Sequence, residues 1–199
     1  DEPPTNRFND GKCDAQWRFW GGTMDVDCRA PTGALSRLDP DGTCTRHEAG
    51  ITVSNGPTWS ADGRTMYFSD TAIGRTYAYD FDPVAGALSN RREWLRLPKS
   101  QGFPAGMTTD AAGRIWICHW AGHAVSCHDP ISARELCRIE LPVANVTDCA
   151  FGGPDLCTLY ISTAWSGLDD AQRAQQPLAG GLFAVTLDSP GVASPPFGG

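Results

Sequence analysis

Cysteine and histidine, the side chains that bind soft metals such as zinc, are concentrated in one short stretch of the sequence. Within eleven residues the chain carries Cys118, His119, His123, Cys127 and His128. The stretch has the pattern of two strands joined by a short turn, and alternation along a strand then places Cys118 and His119 on opposite faces. It also lacks the paired spacings of zinc-binding motifs. The sequence therefore predicts no structural zinc site here.

Two other motifs could serve a hard cation or a hydrolytic reaction. SNGPTWS spans 54–60 and FPAGMTTD spans 103–110. Asn55 offers a neutral carbonyl oxygen of the kind that hard cations accept, and Gly56 allows a tight backbone turn beside it. Taken alone, an Asn-Gly pair more often marks a turn than a ligand. In the second motif, the methyl group of Ala105 can neither coordinate a cation nor accept a proton.

The elements that position these motifs repeat along the chain. A strand with an aromatic centre recurs at Trp20, Tyr67, Trp116 and Tyr160, at spacings of 47, 49 and 44 residues. A second strand that ends in a turn follows each time, and the segment 166–181 is an insertion, predicted to be a loop with one helical turn. Two hairpins in each repeat of roughly 40–50 residues are typical of β-propeller blades. An irregular β-sandwich would not explain the near-constant spacing.

We therefore predict an all-β chain of β-propeller type with about four blades. It is expected to form a single domain over 1–199, with repeats near 6–50, 51–97, 98–142 and 143–199. A net charge of −7 without a basic cluster argues against nucleic acid as a partner. Apolar runs are too short to cross a membrane. No secretion signal is visible, and the eight cysteines form no C-x-x-C pair, so free thiols and a cytoplasmic location are expected.

Long segments of the sequence resemble one known family. They include NRFNDGKCD from Asn6, VSNGPTWSADGRTMYFSD from Val53 and AGMTTDAAGRIWICHWAGHAVSCHDP from Ala105. Together with LPVANVTDCAFGG from Leu141, they are similar, in order, to the senescence-marker-protein/gluconolactonase family of regucalcin-like lactonases. The resemblance runs from about residue 6 to 185. Because members of that family are six-bladed propellers, it implies that this chain corresponds to the last four blades.

The resemblance also implies a chemistry. A divalent cation in the channel, Ca²⁺ first with Mn²⁺, Zn²⁺ or Mg²⁺ as alternatives, would polarise a lactone carbonyl while a carboxylate activates water. Asn55 matches a metal ligand. Ala105 stands where the family has an Asp that is both ligand and general base. No catalytic residue is therefore assigned, cation binding is expected to be weakened, and His119 is the next base to consider.

Three further residues match positions that contact substrate in the family. Arg7 and Asn9 would hydrogen-bond the lactone or polyol, and Asp27 falls where the family often has a Glu. Two functions stay open on this sequence. The first is an impaired sugar-lactone hydrolase that acts on a small gluconolactone-like substrate. The second is a non-catalytic propeller that binds a ligand or a protein.

Overall fold

The computed structural model describes residues 2–199, which form four antiparallel sheets in chain order. The first sheet contains β1 (Asn6–Cys13), β2 (Phe19–Asp25), β3 (Gly33–Leu38) and β4 (Cys44–Ile51). The second contains β5 (Ser54–Trp59), β6 (Thr65–Asp70), β7 (Arg75–Asp82) and β8 (Ala87–Arg96). The third contains β9 (Phe103–Thr109), β10 (Ile115–Trp120), β11 (Ala124–His128) and β12 (Glu135–Glu140). The fourth contains β13 (Asn145–Gly152), β14 (Thr158–Ala164) and β15 (Leu182–Thr186).

This order confirms the prediction of an all-β chain with four blades of the β-propeller type. The predicted insertion lies between β14 and β15 and contains one short helix, α1 (Asp170–Gln175). Asp169 caps α1, because its side chain accepts a hydrogen bond from the Gln172 N–H while Gln172 bonds back to the cap. Within residues 2–199, no helix is long and apolar enough to cross a bilayer.

The chain divides into two compact units, and each has its own hydrophobic core. The first unit runs to Arg96 and includes Ser194–Gly199, and the second is Leu97–Ala193. The first core combines aromatic and aliphatic side chains from the first two sheets, namely Trp20, Leu35, Ile51, Met66, Phe68, Tyr77, Tyr79 and Phe81. The second core comes from the third and fourth sheets and includes Trp116, Val125, Val146, Leu159 and Ile161.

The repeating aromatic residues occupy equivalent strands, as their spacing predicts. Trp20, Tyr67, Trp116 and Tyr160 lie on β2, β6, β10 and β14, the second strand of each sheet. Three of them are buried, whereas Tyr160 is 40% exposed. The neighbours of Tyr160 on β14, Leu159 and Ile161, face the core of the second unit.

Two of the turns before these aromatic strands are built in the same way. Oδ1 of Asp14 accepts the Gln16 and Arg18 backbone N–H groups, and its Oδ2 accepts Arg18 Nε at 2.7 Å and Trp20 Nε1 at 2.9 Å. Such a buried and fully hydrogen-bonded carboxylate stabilises the turn that follows it, because each donor has a charged acceptor.

Asp110 repeats this arrangement in the third sheet. It accepts the Ala112 and Arg114 N–H groups, Arg114 Nε at 2.7 Å and Trp116 Nε1 at 2.8 Å. Asp110 therefore fixes the turn before β10, which agrees with its predicted place in a turn rather than in the chemistry.

Candidate functional site

The first strand of each sheet carries one irregularity near its start. The register shift lies between Phe8 and Asp10 in β1, Asn55 and Thr58 in β5, Pro104 and Met107 in β9, and Val146 and Asp148 in β13. A β-bulge re-aims the side chains that flank it, and bulges are frequent next to functional sites. Three sequence-predicted positions, Asn9, Asn55 and Ala105, stand at these shifts.

Asn55 is buried and its side-chain amide is held in one orientation. Asn55 Nδ2 donates to Thr71 Oγ1 at 2.7 Å, and Thr71 is itself buried just beyond β6. This bond engages the amide nitrogen, so Oδ1 is the atom that can meet a ligand. The next residue, Gly56, has a φ of +87°, a left-handed conformation that favours glycine. The structure has a bulge within β5 at this point, where the sequence predicted a tight turn.

Arg7 and Asn9 form a hydrogen-bonded chain that leads to the strand of Asn55. Arg7 Nη1 donates to Asn9 Oδ1 at 3.0 Å and to the Phe8 carbonyl. Asn9 Nδ2 donates to the Ser54 carbonyl oxygen at 2.6 Å. Because Ser54 precedes Asn55, the structure brings three of the four predicted site residues together within the first unit.

Asp27 is the predicted site residue that stands outside this chain. It lies on the exposed turn after β2, and its N–H donates to the buried carboxylate of Asp25. Asp25 also accepts the Arg29 and Ala30 N–H groups, and these backbone hydrogen bonds lower its pKa. Among residues 2–199, Asp27 is not hydrogen-bonded to Arg7, Asn9 or Asn55.

Asp10 is a site residue that the sequence reasoning missed. Its Oδ2 accepts the Gly56 N–H at 2.7 Å, and its Oδ1 accepts the Gly11 N–H at 2.7 Å. The carboxylate therefore connects the bulge of β1 to the bulge of β5 beside Asn55. The signal available in the sequence was the acidic residue directly after Asn9, at the position that Asp148 occupies in the fourth repeat.

Ala105 lies in an apolar environment. Its methyl group is only 3% exposed and belongs to the core cluster that contains Trp116, Cys118 and Val146. The following residue, Gly106, has no room for a side chain, because a Cβ atom there would collide with the carboxylate of Asp148. Asp148 Oδ1 also accepts the Cys149 N–H at 2.8 Å. The second unit thus has a carboxylate beside Gly106, and none on Ala105.

His119 is fully buried and both of its ring nitrogens have partners. Nδ1 lies 2.8 Å from the Gln101 carbonyl oxygen and Nε2 lies 2.6 Å from Ser126 Oγ. Ser126 Oγ in turn lies 2.7 Å from His128 Nε2, and His128 Nδ1 lies 2.9 Å from the Ala133 carbonyl oxygen. Burial lowers the pKa of His119 to about 4. This arrangement suits a structural imidazole better than a general base that meets substrate.

The residues present do not fit a hard divalent cation. Such an ion is usually surrounded by several carboxylate and carbonyl oxygens. In the first unit Asn55 supplies one neutral oxygen, while the carboxylate of Asp10 is engaged by backbone N–H groups. Within residues 2–199, no three His, Cys, Asp or Glu side chains stand together as a metal-binding group. These residues therefore do not support a chemical step through a bound ion.

The family model described as "SMP-30/Gluconolactonase/LRE-like region" matches residues 1–165 of the chain. The chain belongs to this family. Regucalcin from Xenopus laevis is 36% identical over 205 residues, which cover 100% of this chain and 69% of that protein. The resemblance deduced from the motifs is thereby confirmed.

Two solved structures of this family are similar to the chain. A calcium-binding regucalcin from Agrobacterium tumefaciens is 29% identical, with a TM-score of 0.92 over 98% of this chain and 65% of that one. A gluconolactonase from Xanthomonas campestris is 26% identical, with a TM-score of 0.66 over 78% of this chain and 53% of that one. The chain thus spans about two thirds of the length of the two regucalcins, at 69% and 65%.

Proposed function

We propose that this chain is a sugar-lactone hydrolase of the gluconolactonase type whose hydrolysis is impaired. Membership of the family supports the lineage. The Xanthomonas campestris relative, which is named a gluconolactonase, supports a sugar lactone as the class of substrate. The polar chain from Arg7 through Asn9 towards Asn55 supports recognition of a molecule rich in hydroxyl groups.

Recognition is assigned to side chains that are already held in place. Arg7 is exposed, and its guanidinium group presents planar donors suited to lactone and hydroxyl oxygens. Asn9 orients Arg7 through their shared hydrogen bond, and Asn55 offers Oδ1. Asp27 would be an additional acceptor for a substrate hydroxyl group on the exposed turn after β2.

Impairment rests on one observation, the buried methyl group at Ala105. General-base catalysis is typically worth about 10²–10⁴-fold in rate. Ala105 cannot supply it, and both ring nitrogens of His119 are engaged in the buried chain. For the divalent cation, Ca²⁺ first, we propose weakened binding, since Asn55 contributes one uncharged ligand.

A second function is favoured by the same residue. Ala105 belongs to an apolar cluster and contributes to core packing. A chain without a base at this position would serve purely as a propeller that binds a ligand or a protein. The two functions share Arg7 and Asn9. They differ in whether lactone is turned over at all.

Calorimetric titration of the chain with Ca²⁺ and, separately, with the sugar acid gluconate tests the binding half of the proposal. We expect no Ca²⁺ site tighter than roughly 10⁻⁴ M, the weak end of oxygen-ligand sites. Gluconate should bind, and Asn9→Ala should abolish its binding, whereas Asn90→Ala, on the exposed part of β8, should not. Micromolar Ca²⁺ binding that disappears in Asn55→Ala would contradict the proposed weakening.

A further inference from the structure

Two cysteines of the second unit face each other across adjacent strands. Cys127 on β11 is the direct partner of Cys137 on β12 in the strand register, so their side chains lie on the same face of the sheet. The two thiols lie close together, because Cys137 is among the groups that act on the Cys127 thiol. Directly opposed residues of antiparallel strands have Cα atoms roughly 4.5–5.5 Å apart, which lies within the range that a disulfide spans.

The two thiols differ in their access to solvent. Cys127 is completely buried in the core of the second unit, beside Trp116, whereas Cys137 is exposed. Burial raises the pKa of the Cys127 thiol to about 12, so Cys127 is almost entirely protonated at neutral pH. A small reagent therefore meets Cys137 first.

The position of the pair in its sheet favours disulfide formation. β12 is the edge strand of its sheet, and the register shifts directly after the pair, between Cys127 and His128. An edge strand next to a bulge can make the small shift needed to bring two sulfur atoms into bonding distance.

We propose that Cys127 and Cys137 form a redox-active dithiol that exchanges with small-molecule disulfides of the glutathione class. The Cys137 thiolate attacks one sulfur of the small disulfide, forms a mixed disulfide and expels one thiolate. Cys127 then loses its proton, and its sulfur attacks the Cys137 sulfur and expels the second thiolate. One protein dithiol and one small disulfide thus become one protein disulfide and two small thiols. The product covalently fastens edge strand β12 to β11.

The experiment treats the reduced chain of residues 1–199 with oxidised glutathione, blocks the remaining thiols with an alkylating agent and digests the product with trypsin. Cleavage after Arg114, Arg134 and Arg138 places Cys127 in the peptide 115–134 and Cys137 in 135–138. We expect these two peptides to be recovered as one disulfide-linked species, which dithiothreitol separates. Cys44 is the matched control, because it is exposed on β4 and its direct strand partner is Leu38. Its glutathione adduct should persist.

Two variants keep the proposal open to refutation. Cys137→Ser changes an exposed side chain, and it should remove the linked species entirely. Cys127→Ala should leave Cys137 with a persistent glutathione adduct, like that of Cys44, which separates the attacking thiol from the resolving one. A stable adduct on Cys137 in the unmodified chain, or a linked species that survives in Cys127→Ala through the neighbouring Cys118, would overturn the assignment.

Discussion

At the scale of single residues, Asn55 and Ala105 stand at equivalent bulges with opposite consequences. Asn55 keeps a polar atom that can meet a ligand, because Thr71 holds the other end of its amide. The methyl group of Ala105 packs within an apolar cluster. The position at which the resemblance implies an acid is therefore occupied by a packing residue in this chain. Replacing the methyl group by a carboxylate should therefore cost stability.

We predict that Ala105→Asp lowers the free energy of unfolding by about 1–3 kcal/mol, the usual cost of burying a polar group with incomplete hydrogen bonding. Burial among apolar side chains, together with the carboxylate of Asp148 beside Gly106, raises the pKa of the new carboxyl group. The folded state then retains the proton to a higher pH than the unfolded chain does. The cost should consequently grow as the pH rises above about 4.

Urea unfolding at several pH values measures this effect. Ala105→Asn has nearly the same shape without the charge, so its cost should be independent of pH. If Ala105→Asp and Ala105→Asn lose the same stability at every pH, position 105 is solvated and the packing explanation for the missing acid is wrong.

At the scale of elements, the turns before β2 and β10 depend on one carboxylate each. Asp110 satisfies two backbone N–H groups, an arginine and a tryptophan. Asp110→Asn removes the charge. The new amide nitrogen also cannot accept the hydrogen bonds that the carboxylate oxygen accepted. Hydrogen bonds to charged groups contribute about 1.5–3 kcal/mol each. We predict a loss of roughly 3 kcal/mol in the free energy of unfolding.

Asp62→Asn is the matched comparison for this prediction. Asp62 also holds a turn, through Ser60 Oγ and the Arg64 N–H, but it is exposed to solvent. Its replacement should cost under about 1 kcal/mol, since water replaces the lost bonds. Equal losses in the two variants, measured by chemical denaturation, would show that the contacts of Asp110 with Arg114 and Trp116 add nothing.

The stability of the third sheet is expected to depend on pH through His119 and His128. Four hydrogen-bond contacts link the Gln101 carbonyl, His119, Ser126, His128 and the Ala133 carbonyl. Two neutral imidazoles and one hydroxyl group supply only three protons for these four contacts. A fourth proton would complete the chain, but burial opposes the charge and lowers the pKa of both rings. Arg138 also disfavours the charge, whereas Glu135 favours it.

Because the pKa of His119 falls from 6.5 to about 4, the unfolded chain binds more protons than the folded chain between these values. We predict that stability is fully present above pH 6.5 and that roughly 3 kcal/mol is lost as the pH falls towards 4. His119→Gln should flatten this dependence, and His123→Gln, at an exposed position, should not. A stability that increases on acidification would mean that completing the hydrogen bonds outweighs desolvation.

At the scale of the whole molecule, the sequence was most informative where its signals repeat. The aromatic spacing predicts the second strand of every sheet, and the insertion predicts α1, because periodic patterns report local structure. The site was predicted less completely. Arg7, Asn9 and Asn55 followed from the resemblance, whereas the role of Asp10 depends on which strand packs beside β1 and is not visible in a linear pattern. The burial of His119 is likewise not visible in a linear pattern, because its partners come from β11 and from the segment before β9.

The exposed position of Tyr160 shows a further limit of the repeat. The aromatic position recurs in sequence, but Leu159 and Ile161 face the core of the second unit. Alternation along β14 turns Tyr160 to the opposite face, where it is 40% exposed. The spacing predicts the strand on which Tyr160 lies, whereas the packing of the sheet determines whether its side chain is buried.

The central claim is that the chain has a lactonase scaffold without an effective base, and the rate of lactone hydrolysis tests it most directly. Glucono-δ-lactone hydrolysis, followed by acid release at constant pH with Ca²⁺ present, should proceed within a few-fold of the spontaneous rate. Asn55→Ala should leave that rate unchanged. Turnover far above the spontaneous rate that is abolished by Asn55→Ala would contradict the account, because it would require a complete catalytic site in a chain that carries Ala105.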